Sequence, residues 1–304
     1  MTPTLTRFLV IAGGWATIVG LGLWWADVSL DSVPGVLALA LLYMPSPFVA
    51  ALVAERGLVR ERFRLPHGGW RAVVVFLLAP AVLVVTFVGL LLVLTAAADL
   101  VGVDAVGSVA TTGEEMVAGA AALLGEAAVA AAGPPPPFAV LLLAGVWGAL
   151  VAGWTVNGLV AMGEEYGWRG LMWEQLRHLG PVRANLAIGA AWGLWHAPVV
   201  LQGYNYPGYP VAGVAAMVLF CVALSLCLTA LRELTGSVLP VAAAHGMVNA
   251  LAPLVLLVTP GAHPVLAGPL GLVGSAVLLA LGAVSWALVR RRADRAVEAP
   301  VTGW

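Results

Sequence analysis

Residues 72–98 read AVVVFLLAPAVLVVTFVGLLLVLTAAA, a run with no charged side chain. About 18 consecutive apolar residues suffice for a helix that crosses a bilayer core, so this run reads as a membrane span rather than a helix of a water-soluble domain. The rest of the chain repeats the pattern. Of its 304 residues 62% are hydrophobic and 10% are charged, and the mean hydropathy is +1.00. Apolar segments at about 8–26, 34–54, 70–98, 139–163, 184–202, 211–231, 238–258 and 266–289 predict eight helices. The fold class is therefore all-α, a polytopic transmembrane bundle forming one integral membrane domain over residues 1–304. The first segment comes after Arg7 and has the length of a signal-peptide core, but it lacks a small-x-small cleavage site and reads as an uncleaved span.

Charge distribution orients the bundle, because cytoplasmic loops collect basic residues. All 14 basic residues are arginine. With the N-terminus inside, Arg7, the group Arg56, Arg60, Arg62, Arg64 and Arg71, the group Arg169, Arg177 and Arg183, Arg232, and the tail Arg290, Arg291, Arg292 and Arg295 all fall on the cytoplasmic side. The other side receives Asp27, Asp31, Asp99, Asp104, Glu114, Glu115 and Glu126 and no basic residue, which gives an N-in, C-in topology. The arginine-only composition suggests a GC-rich, bacterial genome, and a net charge of −1 points to no nucleic-acid partner. Cys221 and Cys227 lie in one apolar run and read as core fillers.

The 99–137 connection, alanine-rich from Ala118 to Ala132 and closed by Pro134 to Pro137, reads either as a linker or as a short interfacial helix with Met116, Val117, Leu123 and Leu124 on one side. Pro45, Pro47 and Pro80 predict kinks. In the fourth span Gly145 and Ala149 form a small-xxx-small pair, with Gly148, Gly153 and Gly158 as further close-packing sites. Between Phe138 and Gly180 no strong helix break is visible, and one helix of that length, at about 1.5 Å per residue, would far exceed a bilayer. Placing its embedded part at about 150–176 sets Glu164 near mid-depth, within reach of His196 and His245.

Adjacent acids in such a chain call for an explanation, since a carboxylate at the bilayer centre costs at least ~2.5 kcal/mol. Glu164 and Glu165 point about 100° apart on a helix, so a single shared role is not expected. Glu165 stands four residues before Arg169, the favourable order for an ion pair. Glu164 then has no local partner, the condition under which a buried carboxylate becomes a general base. Trp192 and His196, and His245 and Asn249, are likewise four apart. Singly, each pair has an ordinary explanation as packing or interhelical hydrogen bonding. Together they supply polar groups from three otherwise apolar helices, and convergence on one wet pocket is the economical reading. His67, His178 and His263 read as solvated loop residues.

The pieces Glu164-Glu165-x-x-x-Arg169, Trp192-x-x-x-His196-x-Pro198 and His245-x-x-x-Asn249 resemble the motifs of the CAAX protease and bacteriocin-processing family, the prenyl-protein endopeptidase type also called ABI or CPBP. The resemblance covers about residues 140–256, a motif-bearing catalytic core. Position 192 departs from it, since the family usually has phenylalanine there. The resemblance implies an intramembrane endopeptidase in which Glu164 and His196 activate a water, His245 and Asn249 hold the oxyanion, and Glu165 and Arg169 order the first motif. No serine or cysteine nucleophile with a paired base is apparent, which agrees with direct water attack. No cofactor is expected. The alternative is zinc held by Glu164, His196 and His245 with an open water position, against which stand the absence of His-Glu-x-x-His and the asparagine beside the third ligand.

The partners expected are the lipid bilayer and a peptide or membrane-protein substrate, at the plasma membrane, with entry from the cytoplasmic side or laterally from lipid. Prenylated substrates are not expected in a bacterial host. Competing functions are a non-catalytic immunity or partner-binding scaffold and a small transporter with a carboxylate relay. No inverted repeat or broken-helix pair favours a transporter.

Overall fold

The computed structural model describes residues 1–67, 69–132 and 136–298, which are mostly helical with no strand among them. The helices are α1 (Pro3–Trp25), α2 (Val33–Glu55), α3 (Trp70–Leu100), α4 (Gly113–Leu124), α5 (Glu126–Ala132), α6 (Phe138–Trp154), α7 (Val156–Glu165), α8 (Pro181–Trp195), α9 (Pro210–Thr235), α10 (Leu239–Val258) and α11 (Leu272–Glu298). Six of these, α1, α2, α3, α9, α10 and α11, are long and apolar enough to cross a membrane. A seventh span results if α6 and the helical chain from Val156 to Leu179 count as one bent crossing. The segment expected to be the fifth of eight spans, 184–202, is instead a 15-residue helix, Pro181–Trp195, and a further four-residue turn after His196, too short to count among the candidate spans.

The stretch expected to run unbroken from Phe138 is broken. Thr155 (φ −124°, ψ −111°) leaves the helical region, and the chain bends by 49° between α6 and the helical stretch Val156–Leu179. An isolated threonine gives no breaker signal, which is why spacing alone reads straight through it. Pro45 and Pro47 lie at an interruption of α2 behind a wide π-type turn at Leu39–Tyr43, whereas Pro80 is accommodated inside a continuous α3. The 99–137 connection is not a bare linker: α4 starts in a capping box between Thr112 and Glu115 and buries Met116. The side chains of Leu123 and Leu124, and Pro134 and Pro135, lie outside the described residues.

Helices α9 and α10 occupy the centre, with 61% of each apolar window buried against 22–33% for the other four spans. Lipid offers no hydrophobic drive between helices, so close approach depends on small residues. At Gly189 and Gly193 of α8 a Cβ would stand 2.3 and 2.4 Å from the Cα atoms of Val222 and Val218 on α9. At Gly246 of α10 it would stand 2.6 Å from the backbone nitrogen of Gly158 on α7. Gly145 packs on Leu254 and Ala149 is buried, as small residues in the fourth span should be, but Gly148 faces open space. These contacts press α7, α8, α9 and α10 together.

Candidate active site

Glu164 and Glu165 end α7, where the backbone widens into a π-type turn over Tyr166–Met172, every residue of which is buried. Such wide turns recur at functional sites because the extra residue re-aims side chains. Here the two carboxylates diverge. Glu165 Oε1 accepts from an Arg169 guanidinium nitrogen at 2.8 Å and lies 2.8 Å from His245 Nδ1. A second Arg169 nitrogen donates to Ser225 Oγ on α9 at 2.8 Å. Glu165, Arg169 and Ser225 are fully buried, so this is a desolvated, charge-assisted network.

Glu164 is buried apart from that network. Its Oε2 accepts the indole N–H of Trp192 at 2.6 Å. The guanidinium carbon of Arg169 stands 4.1 Å above the centre of the same ring, close enough for a cation–π contact. The ring meets His245 edge-on at 5.3 Å and His196 at 5.8 Å. His196 closes α8; its Nδ1 is 2.9 Å from the carbonyl of Trp192, and Trp195 flanks it at 4.7 Å. In neutral His196 a proton on Nδ1 serves that carbonyl, and Nε2 is left as the acceptor.

Glu164, Glu165, Arg169, Trp192, His196 and His245 therefore form one connected set. Glu164 makes no direct hydrogen bond to His196 or His245 among the described residues, and Trp192 lies between them. His245 directs Nδ1 to Glu165, although the sequence reading set it in the pocket of Glu164 and paired Glu165 with Arg169 alone. Asn249, one turn further along α10, is exposed and has no hydrogen bond among the described residues. Two contributions escaped sequence reasoning. Ser225 looks like one more small residue in an apolar span, and the exchange of an aromatic at position 192 looks neutral until the indole N–H is seen to be used. Among the other histidines His67 and His178 are exposed, but His263 is half-buried, accepts the Val265 N–H at 3.2 Å and packs on Tyr209 at 4.6 Å.

Pro198, two residues beyond His196, borders a cavity of about 1040 Å³ that is also lined by Asp27, Asp31, Gln202 and Tyr204. The Tyr204 phenol is raised above its ordinary range by burial and then by the carboxylates of Glu164 and Asp31, while Glu164, Trp192, His196 and His245 do not themselves line the cavity. Among the described residues no three His, Cys, Asp or Glu side chains form a metal-binding group.

Residues 145–251 match the family model described as type II CAAX prenyl endopeptidase Rce1-like. That segment contains all of the polar set above, together with Asn249. Searches of the curated proteins and of the solved structures found no significant match.

Proposed function

We propose, from the premise that residues 145–251 belong to the Rce1-like family of type II CAAX prenyl endopeptidases, that this multi-pass membrane protein hydrolyses a peptide bond with a water activated by Glu164 and His196. The observation that carries the reading is the division of labour between adjacent buried acids. Glu165 is committed to Arg169 and His245, while Glu164 is held by one neutral indole N–H. Carboxylates driven into different environments are the mark of separate chemical roles.

In the proposed reaction Glu164 takes one proton from a water that His196 orients through Nε2. The water oxygen bonds to the carbonyl carbon, and the carbonyl electron pair moves onto oxygen. That oxyanion is met by the carboxamide N–H of Asn249 and by Nε2–H of His245. With Nδ1 turned to Glu165, His245 donates from Nε2 as the imidazolium, which the Glu165 carboxylate supports. Collapse breaks the C–N bond, and Glu164 returns its proton to the leaving amine. Neither a protein nucleophile nor a cofactor is required. The substrate is a peptide or membrane-tethered protein, and the cavity beside Pro198 and Tyr204 is its route to Glu164.

Glu164→Gln, His196→Ala and His245→Ala variants, assayed beside wild type on candidate host membrane peptides in proteoliposomes, test this. Each is expected to lose at least ~10²-fold in kcat; Glu164→Gln and His196→Ala are expected to fold normally, whereas His245→Ala also removes a partner of the buried Glu165 and is read beside its thermal stability. Full activity in a folded Glu164→Gln variant would overturn the reading. The second reading is a zinc form with Glu164, His196 and His245 as ligands. One observation favours it, that Nδ1 of each histidine faces a carbonyl or carboxylate as in metal-ligating imidazoles; against it, the three side chains do not form a metal-binding group among the described residues and would have to draw together to hold zinc. One tightly bound zinc per purified chain, with activity lost to chelator, would replace the metal-free mechanism by that one.

A further inference from the structure

Glu164 and His196 share no direct hydrogen bond, yet both are fixed by the same residue. We propose that Trp192 is the positioning residue of the site: its indole N–H selects which oxygen of Glu164 faces the water, while its backbone carbonyl selects which nitrogen of His196 does. The proposal rests on the endopeptidase reading for its kinetic consequence only.

A terminal carboxylate torsion is broad and roughly two-fold, so an unrestrained Glu164 would present either oxygen and would turn between them. The 2.6 Å bond from the indole engages Oε2 and leaves Oε1 for the water. On the same residue, the carbonyl 2.9 Å from His196 Nδ1 leaves Nε2 for the water. The two acceptors that converge on one water are thus set by one rigid group, and a 1 Å misplacement of such groups can cost ~10²-fold in rate.

Trp192 is itself unable to turn away. It is buried at 1% exposure, with the Arg169 guanidinium over one face and His245 at its edge. Gly189 and Gly193 on either side of it bring the α8 backbone against α9, so the helix that carries it has no freedom to shift either. A phenylalanine at this position would retain the backbone carbonyl and most of the ring packing but would have no N–H to donate. Ring packing and hydrogen bonding are therefore separable by experiment.

One arm of the test needs no turnover. In detergent, the 15N-indole resonance that disappears in Trp192→Phe identifies Trp192; it is expected downfield, together with that of Trp173, whose indole donates to the Glu233 carboxylate at 2.7 Å, and, unlike that one, to move upfield in Glu164→Ala. The remaining tryptophans, unmoved, report an intact fold. A Trp192 resonance indifferent to Glu164→Ala overturns the proposal. The second arm compares Trp192→Phe with replacement by 3-benzothienylalanine, which keeps the bicyclic shape and lacks the N–H. Both are expected to lower kcat roughly 10- to 100-fold with little change in KM. Wild-type kcat in the benzothienyl variant would reduce Trp192 to packing and overturn the proposal. A wild-type protein that cleaves no peptide tells against the endopeptidase reading alone, and the NMR arm then decides Trp192 by itself.

Discussion

Glu165 depends on two partners for its charge, because its second oxygen, Oε2, is buried without a hydrogen-bond partner among the described residues. Removing Arg169 leaves that carboxylate with His245 alone, and stranding one member of a buried ion pair typically costs ~3–5 kcal/mol. Arg169→Ala is therefore expected to lower thermal stability in detergent by an amount of that order. Glu165→Ala together with Arg169→Ala should cost less than the two changes summed; additive losses would show that the pair is not coupled. Arg169→Lys should not rescue, since one ammonium cannot reach Glu165 and Ser225 while lying flat over Trp192. A second buried guanidinium escaped the sequence, where Arg62 is one loop arginine among several. It is 1% exposed, binds Glu55 at 2.6 and 2.7 Å and Glu174 at 2.6 Å, and accepts the Val238 N–H on its carbonyl. Burial opposes its charge, but the Glu55 and Glu174 hydrogen bonds hold it above the ordinary arginine range.

At the scale of the element, the site depends on how closely α7 approaches α10. His245 reaches Glu165 across the contact between Gly246 and Gly158, where no side chain fits. Gly246→Ala would put a Cβ against backbone and force the helices apart, moving His245 from Glu165. A loss of activity near ~10²-fold is expected, larger than the loss of stability, and a wild-type kcat in Gly246→Ala would show that this contact does not set the geometry. The solvent decides how much of this was legible in the sequence. Apolar runs had to be helices because lipid satisfies no backbone group, and buried acids and histidines stand out against such a background. The bend at Thr155, the wide turn at Tyr166–Met172 and the Gly189–Gly193 approach of α8 to α9 did not stand out. Each is a choice made by packing partners distant in sequence, using residue types common in any span.

At the scale of the whole molecule the arginines gather at one end. Arg62 joins Glu55 at the end of α2 to Glu174, Arg232 near the end of α9 approaches Glu174 at 3.6 Å, and Arg292 of α11 bonds the carbonyl of Leu234. Other contacts draw residues 105–110 to residues 258–263 at the end of α10, at a place with no arginine, through Ser108 to Pro260, Ala110 to Val258 and His263 to Ala105. Segments rich in arginine stay on the cytoplasmic side, so the first end should be inside and the second outside. Single cysteines introduced as Arg64→Cys and Asp104→Cys, in a chain with Cys221 and Cys227 replaced by alanine, can be treated with a membrane-impermeant maleimide. Asp104→Cys is expected to label in intact cells and Arg64→Cys only after permeabilisation. The reverse pattern would invert the protein, and labelling of both in intact cells would break the span assignment between them. Orientation also bears on access: the cavity beside Tyr204 borders Asp27 and Asp31, which lie just beyond α1 at the end opposite its arginine-bearing start. With the N-terminus inside, that cavity opens away from the cytoplasm, so a substrate entering through it would come from the outer side rather than from the cytoplasmic side expected from the sequence.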